Sequence, residues 1–341
     1  MRHGHGDDGH RFSRPVRVDF SSNVRPGGPP AGLLAHLAER LDRIGRYPEP
    51  AAESLAEKLA ARAGVRPENL LVTSGAVGAL HLVAQAWRGA RSRIAVPAFA
   101  EYEDAAALNG HAPVFVTREA LFADGPAAGE LVWLCNPNNP TGAVTPRAEL
   151  LALVDRHPDC VFVLDLSYAD FAAAAPVTVA DAAARANLLV VHSLTKTFAI
   201  PGLRLGFLGG AEPLVAAVAR FAAPWAVNAL AVEAGLHLLR PGGDAAAELA
   251  ELRAESARWR TELATIPGLR PQASATPFFL VELERGTAAE LKRGLMERHG
   301  FLIRDAANFR GLTARHFRLA AQGRVADDEL TEALRAWTSP S

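Results

Sequence analysis

Short apolar runs alternate with helical patterns along residues 70–210. The runs at 70–73, 131–135, 161–164 and 188–191 each lead into a polar or glycine-containing segment. Alternating strands and helices favour a mostly parallel sheet, because parallel neighbours need a crossover connection that is usually a helix. In such sheets the ligand site lies at the carboxyl ends of the strands. The sequence therefore predicts an α/β fold whose site residues follow the strands.

The segment after the run at 188–191 contains a rare lysine. Among 36 Lys plus Arg residues, only Lys58, Lys196 and Lys292 are lysines. Arginine cannot replace a lysine that must lose its proton and bond to a carbonyl carbon, because guanidinium stays protonated. Lys58 and Lys292 occupy amphipathic helical patterns and are predicted to be solvated. Lys196, among Ser, Thr, Pro and Gly, is either a reactive lysine or a chance basic residue in a turn.

Three other loops carry groups suited to a ligand. Residues 136–142 contain two Asn-Pro steps and a glycine, which predict a rigid turn. Asp165 follows a buried run, where a carboxylate is costly without a partner. Residues 74–78 open a helix with small side chains, and free amides at a helix start suit a phosphate, although many helices begin this way.

These segments resemble those of fold-type I pyridoxal 5′-phosphate (PLP) enzymes of the class I/II aminotransferase superfamily. Ser-Leu-Thr-Lys at 193–196 with Pro-Gly-Leu-Arg-Leu-Gly at 201–206 resembles the cofactor-lysine segment, and Asn-Pro-Thr-Gly at 139–142 resembles another signature. The resemblance extends from about Asp19 to Ala320. It implies PLP as the cofactor, a large domain over residues 46–235, and a smaller α+β domain formed by residues 1–45 with 236–341.

The resemblance also implies site residues. Lys196 would carry the cofactor, Asp165 would pair with the protonated pyridine nitrogen, and Phe99 would stack on the ring. Asn139 and Tyr168 would donate to the cofactor O3′. The cofactor phosphate would be held by Gly75, Ala76, Val77, Ser193, Arg204 and, from the partner chain of a homodimer with shared sites, Tyr47. Phe99 could instead be a core residue, and Tyr47 with the following proline could be a simple turn.

Substrate contacts are expected from two other parts of the chain. Arg304 and Arg318 lie in strand-like runs, where arginine is unusual without an anion, and Asn-Phe-x-Gly-Leu lies between them. This pattern resembles the threonine-phosphate decarboxylase branch more than the general aminotransferases. Near the amino terminus, Asn23 lies in a loop that resembles a segment lining the active site. His5 with Gly6 resembles a His-Gly that reaches the substrate pocket, although Asp-Asp follows it here.

The resemblance leaves the reaction open. Decarboxylation of a phosphorylated amino acid, L-threonine O-3-phosphate, to aminopropanol phosphate for corrinoid synthesis is the favoured prediction. An aminotransferase, such as one acting on histidinol phosphate, is the close alternative, because phosphate and carboxylate both suit arginine. A third is a non-catalytic binding protein of the PLP fold. Known regulators of that kind carry an additional DNA-binding domain, for which the residues before Asp19 leave no room.

Composition and charge exclude several other classes of protein. A formal net charge of -1 argues against a nucleic-acid protein held by a general basic field. No apolar run approaches the ~20 residues of a membrane span, and no signal-peptide pattern opens the chain. Cys135 and Cys160 lie in strand-like runs and are predicted to be buried thiols. The first ten residues match no metal-ligand spacing, so no metal site is expected. Since no membrane-span or signal-peptide pattern is found, a cytoplasmic enzyme is expected.

Overall fold

The computed structural model describes residues 6–240 and 245–338. The helices are α1 (Ala31–Ala38), α2 (Glu53–Ala63), α3 (Gly75–Ala86), α4 (Glu101–Leu108), α5 (Arg118–Asp124), α6 (Arg147–Arg156), α7 (Val179–Ala183), α8 (Leu194–Thr197), α9 (Glu212–Ala219), α10 (Ala229–Leu238), α11 (Ala246–Leu263), α12 (Ala288–His299) and α13 (Arg324–Thr338). The strands are β1 (Val18–Asp19), β2 (Leu70–Thr73), β3 (Arg91–Val96), β4 (Ala112–Thr117), β5 (Leu131–Cys135), β6 (Val161–Asp165), β7 (Leu188–Ser193), β8 (Gly206–Gly209), β9 (Leu269–Pro271), β10 (Phe278–Leu283), β11 (Phe301–Leu302), β12 (Arg304–Asp305) and β13 (His316–Ala320).

The larger sheet has the strand order β2-β8-β7-β6-β5-β3-β4. The neighbours from β4 to β7 are parallel, and β8 pairs antiparallel with both β7 and β2. Along β5, Val132 and Leu134 pack into one core, whereas Trp133 and Cys135 pack into a second core on the other face. Side chains alternate along a strand, so apolar cores on both faces require continuously apolar strands. The prediction of an α/β fold with a mostly parallel sheet is confirmed.

The smaller sheet is antiparallel, in the order β12-β13-β10-β9. Trp259 on α11, Phe279 on β10 and Phe317 on β13 are fully buried in its core. Strand β1 pairs with β11, so the beginning of the chain joins this carboxyl-terminal part. The proposed division into residues 46–235 and the remainder stays a prediction, and its second boundary falls inside α10.

Two predicted elements are interrupted. The strand expected near 302–304 is two short strands, because β11 pairs with β1 whereas β12 pairs with β13. The helical region expected over 212–239 ends at Ala219 and resumes at Ala229. Trp225, between them, has a left-handed φ of 61°, which a helix cannot contain.

The expectation that both Lys58 and Lys292 are solvated is right for Lys58 and wrong for Lys292. Lys58 is exposed on α2, but Lys292 on α12 is only 8% exposed. Its ammonium donates to both carboxylate oxygens of Asp8, at 2.6 and 2.7 Å. A helical pattern cannot reveal this burial, because the covering residue lies 284 positions away in the sequence.

The two cysteines are buried free thiols, as predicted. Burial raises the pKa of Cys135 and of Cys160, so both stay protonated at neutral pH. None of the helices in the described ranges combines the length and apolar character needed to cross a membrane.

Candidate active site

A cavity of about 360 Å³ lies at the carboxyl ends of the parallel strands. The segments that follow β3, β5, β6 and β7 form its large-sheet wall: Phe99, Asn139, Asp165, Ser193 and Lys196. The smaller sheet and the loop beside it form its small-sheet wall: Arg304, Phe309 and Arg318. The position at the strand ends is the one predicted from the alternating pattern.

Most of the predicted site residues surround this cavity. Those that line it are Asn23, Ala76, Val77, Phe99, Asn139, Asp165, Tyr168, Ser193, Lys196, Arg204, Arg304 and Arg318. Gly75 lies beside the cavity, against Arg204. Tyr47 does not line it, and His5 lies outside the described residues. The individual roles of these residues stay predictions.

Asp165 ends β6 and is 3% exposed. Its Oδ2 accepts from the Tyr102 hydroxyl at 2.7 Å, and its Oδ1 accepts from the Ser167 amide at 2.9 Å. Burial raises the pKa of Asp165, whereas these hydrogen bonds and the charge of Lys196 oppose the rise. Within the described ranges no cationic side chain forms a hydrogen bond or ion pair with this carboxylate. A buried carboxylate held only by neutral donors suits a cationic ligand group.

Lys196 lies on the short helix α8, directly after β7. Burial, with the charges of Arg318 and Arg204, lowers the pKa of Lys196 to about 8. Asp7 and Asp165 act in the opposite direction. At pH 8 roughly half of such amines are neutral, against less than ~1% of ordinary lysines. This amine can therefore act as a nucleophile or carry a proton near neutral pH.

Arg204 faces the beginning of α3. A Cβ on Gly75 would lie 2.6 Å from Arg204 Nη2, and the φ of Gly75 is +72°, so both space and backbone require glycine. The other terminal nitrogen of Arg204 donates to the Pro201 carbonyl at 2.9 Å. Ala76 and Val77 bring the first turn of α3 to the same part of the cavity. Helix-start amides beside a guanidinium form a group of donors that favours an anion.

The loop after β5 orients Asn139. The neighbouring Asn138 amide donates to the Pro97 carbonyl at 3.0 Å and to Thr141 Oγ1 at 2.9 Å, which ties the turn down. Asn139 Oδ1 accepts from Arg318 Nη1 at 2.5 Å. Because guanidinium only donates, the atom that faces Arg318 must be the amide oxygen, and Nδ2 remains a donor. The predicted role of Asn139 as a donor uses this nitrogen and stays a prediction.

Arg304 and Arg318 lie opposite each other on β12 and β13, at 7% and 5% exposure. Arg304 donates to the Asp305 carbonyl and to Asn308 Oδ1, both at 2.8 Å. Arg318 also donates to the Ser21 carbonyl at 2.5 Å, while its Nε is buried without a hydrogen-bond partner. Burial lowers the pKa of both guanidinium groups, that of Arg318 to about 10. Each charge also disfavours the other, and a bound anion would relieve that repulsion.

Asn23 and Tyr168 add a polar corner to the cavity. Both polar atoms of the Asn23 amide are buried without a hydrogen-bond partner in the described part of the chain. Burial dominates and raises the pKa of Tyr168 to about 12, so its hydroxyl stays protonated. The Tyr168 ring packs edge-on against Phe278 at 4.9 Å. An unsatisfied buried amide is costly, which favours a polar ligand group here.

Tyr47 lies on the surface, away from the cavity of its own chain. It is 82% exposed, and its ring centroid lies 5.0 Å from that of Trp225. Trp225, Leu41 and Ile44 are also exposed, at 47%, 53% and 70%. The predicted role of Tyr47 belongs to the site of a second chain and stays a prediction.

Tyr102 and Asp7 are among the cavity residues for which the sequence predicted no role. Tyr102 is 1% exposed and holds Asp165, and its only sequence signal is its position three residues after Phe99. Asp7 lines the cavity with a left-handed φ of 56°. The motif resemblance gives Asp7 no role, because the aspartates after Gly6 depart from the matched pattern.

Comparisons with known proteins agree with this geometry. The family model for class I and II aminotransferases matches residues 16–336. Threonine-phosphate decarboxylase of Salmonella typhimurium is 32% identical over 330 residues, a match that covers 93% of this chain and 90% of that protein. Histidinol-phosphate aminotransferase of Thermoanaerobacter pseudethanolicus is 30% identical over 340 residues, covering 95% of this chain and 93% of that protein.

Solved structures give the same picture. The crystal structure of L-threonine-O-3-phosphate decarboxylase from Porphyromonas gingivalis matches with a TM-score of 0.90 and 40% identity, covering 94% of this chain and 99% of that chain. Histidinol-phosphate aminotransferase from Sinorhizobium meliloti, solved in complex with pyridoxal-5′-phosphate, has a TM-score of 0.85. It covers 96% of this chain and 92% of its own, and at 22% identity it shows the fold alone.

Proposed function

We propose a function from the premise that this chain belongs to the class I and II aminotransferase family, and that it is therefore a PLP-dependent enzyme. Its reaction is the decarboxylation of a phosphorylated amino acid, L-threonine O-3-phosphate, to aminopropanol phosphate. The activity named for the relatives from Salmonella and Porphyromonas gingivalis supports this choice. The observation that carries it is the buried pair Arg304 and Arg318, which suits a substrate with two anionic groups.

The residues of the cavity fit pyridoxal 5′-phosphate. Asp165 offers a buried carboxylate to a cationic ring nitrogen, and Lys196 offers an amine that is partly neutral near pH 8. Gly75 leaves the space that Arg204 needs beside the helix start, where a phosphate would be held. The Ser193 hydroxyl, 2.8 Å from that of Thr195, adds a further donor to this end. Asp165 thus suits the ring nitrogen of the cofactor, Lys196 suits the carbonyl carbon that it would bond to, and Arg204 with Ser193 suits the phosphate.

Bound PLP supplies an electron sink for the electron pair left by the bond that breaks at the substrate Cα. Asp165 would hold a proton on the ring nitrogen, because a charged partner stabilises the charged form of that nitrogen. Asn139 Nδ2 and the Tyr168 hydroxyl would donate to the ring oxygen. Phe99 would cover one face of the ring and keep water from it.

The two arginines would choose the reaction by orienting the substrate. The bond that breaks at the substrate Cα would depend on how the substrate is held against the cofactor. Arg304 and Arg318 would hold the carboxylate and the phosphate so that the bond to the carboxylate is the one that breaks. CO2 would leave, and one proton would replace it at Cα. Lys196 would carry that proton, since its amine lines the cavity and has a pKa of about 8.

A second candidate is transamination, for example of histidinol phosphate. It is favoured by relatives named as histidinol-phosphate aminotransferases that are 30% identical over 95% of this chain. The same arginines would then hold the substrate so that its Cα–H bond is the one that breaks, and Lys196 would remove that proton. The two reactions would differ in how the substrate is oriented, so both would use the same residues.

We further propose a cytoplasmic homodimer with shared active sites. Tyr47 and Trp225 form an exposed aromatic pair, and Leu41 and Ile44, a few residues before Tyr47 in the chain, are exposed as well. Exposed apolar side chains of this kind favour a protein interface. In the dimer, the Tyr47 hydroxyl would reach the cofactor phosphate held by Arg204 of the neighbouring chain. No further partner besides the small-molecule substrate is proposed.

One assay separates the two reactions. The protein, loaded with PLP, is incubated with L-threonine O-3-phosphate while CO2 release and amino-group transfer to 2-oxoglutarate are both followed. Decarboxylation should yield aminopropanol phosphate without any keto acid. If CO2 is absent while histidinol phosphate and 2-oxoglutarate yield glutamate, transamination is the reaction and the decarboxylase proposal is wrong.

A further inference from the structure

Residues 6–12, here called the arm, precede the first strand and lie beside the small-sheet wall. Asp8 at the centre of the arm forms the bidentate ion pair with Lys292 on α12, at 2.6 and 2.7 Å. Phe12, at the end of the arm, places its ring 5.9 Å from the same ammonium. Backbone hydrogen bonds from Arg11 to Asp8 and from Phe12 to Gly9, both at 3.0 Å, close the turn between them.

The burial of this ion pair distinguishes it from the surface pairs of the chain. The side chains of Lys292 and Asp8 are 10% and 17% exposed, whereas those of Arg17 and Glu329, which also join the amino-terminal region to a helix of this unit, are 53% and 44% exposed. A buried lysine is rare unless it is paired, and removing one partner leaves an uncompensated charge. Release of Asp8 from Lys292 therefore costs far more than loss of a surface pair.

The other end of the arm forms part of the cavity. Gly6 and Asp7 line it, whereas Asp8 and Lys292 do not. A Cβ on Gly6 would lie 3.2 Å from the Ser21 carbonyl and 3.3 Å from Arg304 Cδ, so the arm lies against the side chain that the proposed function assigns to the substrate. The Asp7 amide donates to Ser21 Oγ at 3.1 Å, which fixes the adjacent peptide.

We propose that Asp8 and Lys292 are positioning residues that latch the arm against the small-sheet wall, so that Gly6 and Asp7 complete the substrate side of the cavity. The part of this inference that concerns substrate binding rests on the proposed function. Neither latch residue lines the cavity, and both would hold the two residues before Asp8 in place. The Asp8 carboxylate also favours the charged form of Arg304 directly, so Lys292→Met, which keeps that carboxylate, is the variant that isolates the latch. Opening the latch would widen the substrate side next to Arg304 while leaving the cofactor residues of the large sheet in place.

The latch also controls a charge near the reactive lysine. The Asp7 carboxylate raises the pKa of Lys196, as does Asp165, against the lowering effects of burial, Arg318 and Arg204. If the arm moves away, the contribution of Asp7 is lost and the pKa of Lys196 falls further. A purely structural ion pair on α12 would have no such effect on Lys196.

The test compares Lys292→Met and Asp8→Asn with Lys292→Arg and with Lys58→Met. Lys58→Met is the matched control, because it removes an exposed lysine from a helix far from the arm. In the PLP-loaded enzyme, Lys292→Met and Asp8→Asn should raise KM for the amino-acid substrate ~10-fold with kcat changed less than ~3-fold. Lys292→Arg should have a KM close to that of the wild type. The double variant, Lys292→Met with Asp8→Asn, should have a KM no higher than that of Lys292→Met alone.

Two readouts do not depend on turnover. The pH midpoint of the visible absorption of the bound cofactor should move to lower pH by roughly 0.3–1 unit in Lys292→Met and Asp8→Asn. Trypsin should cleave after the exposed Arg11 about tenfold faster in both variants than in wild type. Asp7→Asn should shift the absorption midpoint in the same direction without speeding cleavage.

These measurements can contradict the latch proposal without contradicting the proposed reaction, and the reverse also holds. If Lys292→Met lowers the melting temperature but leaves KM, the absorption midpoint and the cleavage rate at wild-type values, the pair is only structural and the proposal is wrong. Should Lys292→Met not fold, Asp8→Asn decides alone, because a neutral side chain of similar size replaces the carboxylate. If the wild-type enzyme transaminates and releases no CO2, the proposed reaction fails, but KM for the substrate it does use still tests the latch.

Discussion

The two walls of the cavity are built differently. On the large-sheet wall, Asp165 receives hydrogen bonds from neutral donors alone within the described residues, and Lys196 has a pKa lowered towards neutrality. On the small-sheet wall, Arg304 and Arg318 lie opposite each other on adjacent strands, and a buried donor of Arg318 has no partner in the described part of the chain. The first wall offers single, separated groups, whereas the second concentrates positive charge.

This difference indicates a division of labour. Separated groups can each bind one part of a rigid ring, and they need not move when the substrate changes. Concentrated charge is unfavourable until an anion arrives, so the small-sheet wall should determine which substrate binds and how it is oriented. Substitutions on the two walls should therefore differ in kind: the large-sheet wall should affect cofactor chemistry, and the small-sheet wall should affect substrate affinity and reaction choice.

The largest effect is expected at the lysine of the large-sheet wall. Lys196→Ala should lower kcat by on the order of 10³-fold or more, because its proposed roles are both to hold the cofactor and to move a proton. It should also remove the visible absorption that a lysine-bound cofactor gives. Borohydride reduction followed by peptide mass spectrometry identifies the lysine that holds the cofactor. A tag on Lys58 or Lys292 would contradict the assignment.

Asp165→Asn comes next. The amide oxygen can still accept from the Ser167 amide, and the amide nitrogen can donate to the Tyr102 oxygen in place of the bond that the carboxylate accepted. The neutral side chain cannot hold a proton on the ring nitrogen, so kcat should fall ~100–1,000-fold with the cofactor still bound. Tyr102→Phe is the matched control, since it removes one neutral donor and should cost about tenfold at most. Equal losses in the two variants would mean that the charge of Asp165 is not what matters.

The lowered pKa of Lys196 predicts selective reactivity in the cofactor-free protein. At pH 8 its neutral fraction should exceed that of an ordinary lysine by ~100-fold, because burial and the charges of Arg318 and Arg204 lower the pKa of Lys196 to about 8. Substoichiometric acylation and peptide mapping should therefore mark Lys196 first. The preference should shrink as the pH rises towards 11, where ordinary lysines also lose their proton. A preference for Lys58 at pH 8 would contradict this account.

On the small-sheet wall, Arg304→Ala and Arg318→Ala should each lower kcat/KM at least tenfold. Loss of a charge-assisted contact to an anion costs about 1.5–3 kcal/mol, which corresponds to roughly 10–150-fold. The absorption of the bound cofactor should persist in both variants. Arg315→Ala removes an exposed arginine that pairs with Glu282 and serves as the control. If the two site variants lost the cofactor instead, the walls would not have separate tasks.

The smallest effect is expected at the surface. Tyr47→Ala should reduce cofactor affinity several-fold, because one hydroxyl donor to a phosphate is lost among several. Mixing it with Lys196→Ala should restore part of the activity if one hybrid site carries neither lesion. Sedimentation gives the firmer result, because a fully active monomer would rule out shared sites.

The large-sheet wall was predictable because each of its residues follows a strand within a few positions. Asn139, Asp165 and Lys196 come after buried runs, so a local pattern places them at one edge of the sheet. Arg304 and Arg318 could be singled out as arginines in apolar strands, but their direct opposition depends on the register of β12 and β13. Register follows from pairing over the whole sheet, which no local pattern records.

By itself, the sequence determined the order of strands and helices, the strand ends as the place of the site, and the short motifs that are proposed to hold the cofactor. Only the tertiary structure decided that Tyr102 holds Asp165, that Lys292 is buried against Asp8, and that Asp7 reaches the cavity. The physical reason is the distance along the chain over which each effect acts. Periodicity and turn chemistry act over a few residues, whereas the burial of a charge depends on segments that pack together from distant parts of the chain.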